Sequence, residues 1–325
     1  MRGDRLQTAP ATTAGGSYFA APKTHLEFFS TGSKLLDLAL GGGWAVGRMA
    51  NIIGDKSTGK TLLCIEAATN FARQYPKGKI RYRESEAAFD KNYAAALGLP
   101  LDRVDFGVDP TATIEDLYEE LDHRVKNSKH PELIVVDSLD ALSTRAELDR
   151  AIDAPSYGGD KAKMLSALFR RIAQAANDKN FTFIITSQLR DNIGALPFQK
   201  KYKRSGGHAM DHYATHILWL SQLKRLVKTV HNIKRPVGIT IKAFCEKNKV
   251  GLQYREAQFP ILFGYGIADR QSCLEWLKLT KTAIDINGAS SLDQIHAKVQ
   301  AKWYEIEQSF LPARRKYEES NVESE

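Results

Sequence analysis

Gly54-Asp55-Lys56-Ser57-Thr58-Gly59-Lys60-Thr61 has the spacing Gly-x-x-x-x-Gly-Lys-Thr, between the apolar run Met49-Ala50-Asn51-Ile52-Ile53 and a helical pattern over Leu62 to Phe71. Strand, loop and helix in that order are the setting in which this spacing cradles phosphate. Gly54 and Gly59 let the backbone curl so that successive N–H groups point inward, and the helix N-terminus adds its partial positive charge. Lys60 neutralises β/γ oxygens, and the Thr61 hydroxyl can ligate Mg2+. A glycine-rich turn that binds nothing would not need the flanking strand and helix. The segment predicts a nucleoside triphosphate site.

Other residues complete such a site. Leu133-Ile134-Val135-Val136-Asp137 reads as an apolar strand ending in a carboxylate, which places Asp137 at the carboxyl edge of a sheet, where it can hold Mg2+ through water or Thr61. Strand ends often carry Asp as a turn residue, so this reading gains its force from the phosphate loop. Hydrolysis also needs a group that orients and deprotonates water. Glu86, in Arg83-Glu84-Ser85-Glu86 after the expected strand Ile80–Tyr82, faces the same crevice, with Glu84 as its local competitor. Phe181 to Thr186 reads as a further strand running into Ser187-Gln188, where the Gln188 amide can sense a γ-phosphate.

The wider chain reads as an α/β fold with a mainly parallel twisted sheet flanked by helices. Apolar runs at Met49–Ile53, Leu133–Val136, Phe181–Ile185 and Ile217–Leu220 alternate with helical stretches, as expected of strands covered on both faces. The clearest helix is Lys161 to Asn177, with Met164, Leu165, Leu168, Phe169, Ile172 and Ala173 on one stripe. Ile239–Phe244 and Gln253–Phe259 read as antiparallel strands. We expect an N-terminal arm over 1–27, an ATPase core over 28–270 and a small C-terminal helical region with an acidic tail over 271–325.

A chain of 325 residues with 43% hydrophobic content suits one large α/β domain and a small appendage. No apolar stretch approaches the ~20 residues of a membrane span, and no signal-peptide core is written at the start, so a cytoplasmic location without membrane association is expected. Cys64, Cys245 and Cys273 are far apart and read as reduced thiols. The net charge of +8 favours a polyanionic partner. His208, His212 and His216 fall at i, i+4 and i+8, a spacing that on one helical face can bind metal, though an ordinary subunit-contact helix is the better account.

In one order, the chain carries Ser30-Thr31-Gly32-Ser33 with Leu36-Asp37 ahead of Gly41-Gly42-Gly43, the phosphate loop, and Glu86-Ala87-Ala88-Phe89-Asp90 with Tyr93. There follow Val135-Val136-Asp137-Ser138, Thr186-Ser187-Gln188-Leu189-Arg190, Gly206-Gly207-His208-Ala209 and Lys247-Asn248-Lys249. With these motifs it resembles the RecA-type recombinases over about Phe29 to Trp276. The resemblance implies a RecA-like P-loop ATPase core that uses ATP and Mg2+, polymerises as a homo-oligomeric helical filament on single-stranded DNA, pairs it with double-stranded DNA, and works beside single-strand-binding and loader proteins. It implies Glu86 as the catalytic glutamate, Gln188 as the link between nucleotide and DNA, and Asp90 and Tyr93 as adenine-side contacts. It also implies that Lys247 and Lys249 reach the nucleotide of a neighbouring subunit, with Phe263 at the same interface. Read alone, Lys247-Asn248-Lys249 would be a charged hairpin turn.

The segment after Gln188 corresponds to the family's second DNA loop. It holds Arg190, Ile193-Gly194 and Phe198-Gln199-Lys200-Lys201-Tyr202-Lys203-Arg204, bounded by Gly206-Gly207 and His208. Cations interleaved with aromatics suit a single strand, since each cation meets a phosphate and each ring stacks on a base. The stretch Asp149 to Asp160 corresponds to the first DNA loop, and Lys163 and Arg170 match backbone-contacting positions. Lys224, Arg225, Lys228, Lys234, Arg235 and Lys242 form a further basic group, read as a second duplex site or a solvated surface. Ahead of Phe28 the resemblance lapses: no long amphipathic helix is written there, and Tyr18-Phe19-Ala20-Ala21 is similar to a Phe-x-x-Ala docking motif with its alanine out of step. A hexameric helicase-like motor and a non-exchanging relative that loads or regulates another recombinase are the competing readings.

Overall fold

Apolar runs without polar interruption demand cover on both sides, and the computed structural model shows how it is provided. It describes residues 26–85, 89–108, 113–125, 130–149, 159–179, 181–191, 202–204, 207–283 and 290–311. The chain order is β1 (Phe28–Phe29), α1 (Lys34–Ala39), β2 (Trp44–Ala45), β3 (Met49–Gly54), α2 (Lys60–Gln74), β4 (Lys79–Glu84), α3 (Lys91–Ala96), β5 (Val104–Asp105), α4 (Ile114–Val125) and β6 (Glu132–Asp137). There follow α5 (Arg145–Leu148), α6 (Gly159–Lys179), β7 (Phe181–Asp191), β8 (Tyr202–Arg204), α7 (Gly207–Tyr213), β9 (His216–Val230), β10 (Ile233–Asn248), β11 (Arg255–Leu262), β12 (Gly266–Ile267), α8 (Asp269–Leu279) and α9 (Leu292–Phe310).

The main sheet runs β12-β11-β10-β9-β3-β7-β6-β4-β5, with β8 added to β7. From β9 through β3, β7, β6 and β4 to β5 every pairing is parallel, and from β9 to β12 every pairing is antiparallel. The four apolar runs are thus neighbours in the parallel half. Successive residues feed opposite cores, because strand side chains alternate between faces. Ala50, Ile52, Leu133, Val135, Ile184 and Leu218 pack with Leu63, Ala67 and Phe71 of α2. Met49, Ile53, Ile134, Val136, Phe183, Ile185 and Ile217 pack instead with Leu117 and Leu121 of α4 and Leu165, Leu168, Phe169 and Ile172 of α6. Helix α6 carries the stripe expected of it. Cys273 and Leu277 of α8 and Ile295 and Val299 of α9 belong to the same core cluster as α2. All three cysteines are buried free thiols. Among the described residues no helix is long and apolar enough to cross a membrane.

Before the phosphate loop, the Ser30-Thr31-Gly32-Ser33 motif is a helix-entry device. Asp37 accepts hydrogen bonds from Ser30 Oγ, Thr31 N and Thr31 Oγ1, each at 2.7 Å. Ser33 caps α1 by accepting from Leu36 N.

Two features differ from the sequence-based expectation. The expected antiparallel pair forms as β10 with β11, but β10 also makes an unexpected long hairpin with β9, turned at His231 and Asn232 with φ of 48° and 62°. Both left-handed turn residues match the twist of a two-residue hairpin, a role usually taken by glycine. Pairing of β9 with β3 ends at Leu220, so from Ser221 to Leu226 β9 is the edge of a three-stranded sheet with β10 and β11; pairing of β10 with β11 begins at Gly238, so 227–237 continues as a two-stranded ribbon. The second difference is that His216 does not continue the helix of His208 and His212. Helix α7 stops at Tyr213, and His216 opens β9, buried with its Nε2 3.2 Å from the Leu40 carbonyl oxygen. The three histidines therefore share no face.

Candidate functional site

The phosphate loop leaves β3 at Gly54 and enters α2 at Lys60, joining the strongest strand to the strongest helix of the core. Gly59 takes φ 88° and faces Ile261, whose Cδ1 would lie 2.7 Å from an added Cβ. At Gly54 a Cβ would lie 2.4 Å from Thr58 Oγ1, so both motif glycines are required by the curl itself. The loop is drawn together from inside: Lys60 Nζ donates to the carbonyls of Gly54 at 2.9 Å and Asp55 at 2.8 Å. Thr58 Oγ1 donates to Asp55 O at 2.8 Å.

Asp137 ends β6 beside this loop, buried and held by three hydroxyls. Thr61 Oγ1 donates to its Oδ2 at 2.7 Å, Tyr82 OH to Oδ2 at 2.9 Å, and Thr186 Oγ1 to Oδ1 at 2.7 Å. Burial, with Cys64 and the Asp137 carboxylate beside it, pushes the Tyr82 phenol well above its usual range, so it remains a donor at neutral pH. A hard-oxygen pair of one hydroxyl and one carboxylate next to a phosphate cradle fits Mg2+. Tyr82 is marked by no motif, and Thr186, although it opens the Thr186-Ser187-Gln188-Leu189-Arg190 motif, carries no expected role at Asp137. Thr186 is the first polar residue after Phe181–Ile185, a weak signal, and Tyr82 is indistinguishable in sequence from any buried strand aromatic.

Strand register gathers the other candidates along the same carboxyl edge. Gln188 pairs with Gly54 across β7 and β3, and Glu84 pairs with Asp137 across β4 and β6. The Gln188 N–H donates to Asp140 Oδ2 at 2.6 Å. Glu86 lies outside the described residues. Ser85, immediately before it, is tied to the end of β6: its N–H donates to Asp137 O at 3.0 Å and its Oγ to Ser138 O at 2.7 Å. On the sheet's α2 side, Asp90 caps α3 by accepting from Asn92 N and Tyr93 N at 2.9 and 3.0 Å. Tyr93 is half-buried against the core, with burial pushing its phenol up.

Lys247 and Lys249 are not part of this edge. Lys247 pairs with Ile217, which in turn lies opposite Asn51 near the start of β3, and the Lys249 N–H donates to Thr215 O at 3.1 Å. Thr215 is itself bonded to Met49, five residues and about 17 Å down the strand from Gly54. Both ammonium groups lie on the C-terminal end of α7: Lys249 Nζ donates to His212 O at 2.8 Å, and Lys247 Nζ donates to His212 O at 3.1 Å and to Asp211 O. Phe263, just past β11, is 58% exposed.

Of the expected DNA-binding positions, Lys163 and Arg170 are exposed on α6. The backbone of Arg190 pairs with Lys203 where β8 folds back on β7, Tyr202 and Arg204 flank that pair, and Gly207 and His208 open α7. Ile193, Phe198, Lys200, Lys201 and Gly206, most of the first loop, and Tyr18-Phe19-Ala20-Ala21 lie outside the described residues. Within the further basic group, Lys228, Lys234 and Arg235 decorate the ribbon, Lys224 and Arg225 lie on the exposed β9 edge that leads into it, and Lys242 sits within the sheet and pairs with Glu256 at 2.5 Å.

Most of the chain has relatives among known proteins. The family described as the RecA N-terminal domain matches residues 16–268. Protein RecA of Trichodesmium erythraeum is 33% identical over 325 residues, covering 98% of this chain and 83% of the relative. Protein RecA of Streptomyces venezuelae is 34% identical over 244 residues, 75% of this chain and 62% of the relative. Protein RecA of Prochlorococcus marinus strain NATL1A is 34% identical over 248 residues, with 76% and 63% covered.

Proposed function

Because this chain belongs to the RecA family, we propose that it is an ATP-dependent DNA recombinase that forms filaments on single-stranded DNA and promotes homologous pairing and strand exchange in the cytoplasm. One observation carries the proposal. The phosphate loop occupies the carboxyl edge of the parallel strands, while Lys247 and Lys249 register with Asn51 and Met49, about 10 and 17 Å down the sheet, and rest their ammonium groups on the end of α7 at its amino edge. A lysine on one edge cannot serve the loop of its own chain on the other. Head-to-tail stacking of subunits brings unlike edges together, and an ATP in that seam takes phosphate contacts from both.

Within the seam, the inward N–H groups of residues 54–61 and the N-terminus of α2 bind the phosphates, and Lys60 neutralises the β/γ oxygens. Thr61 and Asp137 hold Mg2+, which offsets the charge that builds on the transferring phosphoryl group. Asp90 and Tyr93 lie on the adenine side. Glu86 orients and deprotonates the attacking water. Gln188 reads the γ-phosphate at the end of β7 and passes the state to the segment that follows on that strand, where Arg190, Ile193, Phe198, Lys200, Lys201, Tyr202, Lys203, Arg204, Gly206, Gly207 and His208 grip the strand. Lys163 and Arg170 contact its backbone. From the next subunit, Lys247 and Lys249 stabilise the charge as arginine fingers do, with Phe263 beside them.

A D-loop assay on the purified chain decides the matter, run with ATP, with a non-hydrolysable analogue and without nucleotide, for wild type and Lys60→Ala. Joint molecules are expected only from wild type with bound triphosphate. Directional unwinding by closed rings would instead identify a helicase-like motor. Nucleotide and DNA binding with no joint molecules would identify a regulator.

A further inference from the structure

Where α8 meets α9, away from the phosphate loop, three donors of different chemistry converge. Asp269 opens α8, Cys273 follows at i+4 on the same helical face, and His296 reaches in from α9. Their ligand atoms all lie within 4.8 Å of one another. His296 Nε2 is 2.5 Å from Asp269 Oδ2, and Cys273 Sγ is 3.7 Å from Asp269 Oδ1. The backbone N–H of Lys34, at the start of α1, donates to Asp269 Oδ1 at 2.7 Å and fixes the carboxylate's orientation. Tetrahedral zinc, with bonds of ~2.0–2.3 Å, sets its donors roughly 3.3–3.7 Å apart, so side-chain adjustments of about an ångström complete the geometry. The thiol is fully buried, whereas the imidazole is 29% and the carboxylate 15% exposed, so an ion enters from the solvent side.

We propose that Asp269, Cys273 and His296 form a structural site for a zinc-class cation, with water as fourth ligand, clasping α9 onto α8 and α1. A mixed sulfur, nitrogen and oxygen set selects Zn2+ over Mg2+ or Ca2+, and the Lys34 N–H plays the orienting role that outer partners play around metal ligands. On binding, bonds form from Sγ, Nε2 and one carboxylate oxygen. The thiol proton leaves to solvent, and the His296–Asp269 contact opens to admit the ion. Folding does not depend on the ion. Helix α9 is also held by buried Ile295 and Val299, by the Trp276–Trp303 ring contact at 5.8 Å and by the Arg255–Glu307 ion pair at 2.5 Å.

The test uses the full chain without an affinity tag, stripped of metal by chelator and free of nucleotide, with Co2+ as the probe. One equivalent should produce a thiolate-to-cobalt charge-transfer band and the visible bands of a tetrahedral ion, both erased by Zn2+. Cys273→Ser should remove the charge-transfer band, although Cys64 and Cys245 remain. His296→Ala should weaken Zn2+ binding by ~10²-fold or more. Zn2+ should raise the melting temperature of wild type and of neither variant, and Mg2+ should raise none. A wild type that gives no thiolate band, or a band that survives Cys273→Ser, would overturn the site and leave a hydrogen-bonded cluster. Should Cys273→Ser fail to fold by circular dichroism, His296→Ala, altered on the more exposed helix, decides alone: unchanged zinc affinity refutes the proposal.

Discussion

At the carboxyl edge of the sheet Lys60 rests on the carbonyls of Gly54 and Asp55, and at the amino edge Lys247 and Lys249 rest on those of Asp211 and His212. The two arrangements use one chemistry, ammonium groups against neutral carbonyl oxygens, which a phosphate outcompetes because its hydrogen bonds are charge-assisted. They differ in what surrounds them. The first edge adds hydroxyls, a buried carboxylate and a helix N-terminus, a full set for phosphate and Mg2+. Among the described residues, the second adds the C-terminal end of a short helix. On the proposed function the contrast is between an edge that holds a nucleotide and one that visits its neighbour's.

The sharpest way to break that contrast is to remove the visiting side. Lys247→Ala with Lys249→Ala should lower DNA-dependent ATP turnover by ~10³-fold while leaving nucleotide affinity of the isolated chain intact. Mixing this variant with Lys60→Ala subunits should restore part of the activity, since each supplies the edge the other lacks. Normal turnover in the double variant, or no recovery on mixing, would show that the two edges never meet.

A smaller effect sharpens the holding side. Tyr82→Phe or Thr186→Val removes one hydroxyl from Asp137, and the Mg2+ concentration that half-saturates ATP hydrolysis should rise ~10-fold with little change in kcat at saturating metal. A fall in kcat at unchanged Mg2+ demand would mean that these hydroxyls act on something other than the metal carboxylate.

The smallest effect belongs to the amino edge and concerns folding alone. Burial holds the His216 imidazole down to about 4 from 6.5. The unfolded chain therefore binds the proton first as pH falls, so stability is fully present above about 6.5 and is lost progressively towards 4. Melting curves across that window should slope accordingly, and His216→Gln should flatten the slope. A wild-type melting temperature that does not change over the window would mean that the ring is not buried neutral.

The holding edge was legible in the sequence because its parts are local: loop, strand and helix are contiguous, and Asp137 terminates an unbroken apolar run. Hydroxyls from Tyr82 and Thr186 were not, since they reach Asp137 only through the pairing of three strands distant in sequence. The same holds for the lysines. Only the register of β10 on β9, and of β9 on β3, assigns them to the far edge. Beyond Leu220 the alternation of β9 is masked by Lys224, Arg225 and Lys228, and the His231-Asn232 turn lacks the glycine that usually announces a hairpin. Equal spacing of three histidines suggested one helix, but spacing cannot reveal that the helix stops at Tyr213.

The ribbon of β9 and β10 has a consequence for how copies behave when crowded. Both of its rims offer backbone amides and carbonyls, and Val227, Val230 and Ile233 along it, with Leu223 on the adjoining β9 edge, are each about half exposed, the ingredients of runaway cross-strand stacking. Pro236 brings no N–H to the rim, and Lys224, Arg225, Lys228, Lys234 and Arg235 repel an identical ribbon drawn alongside. The protrusion is thereby guarded against pairing with its own kind.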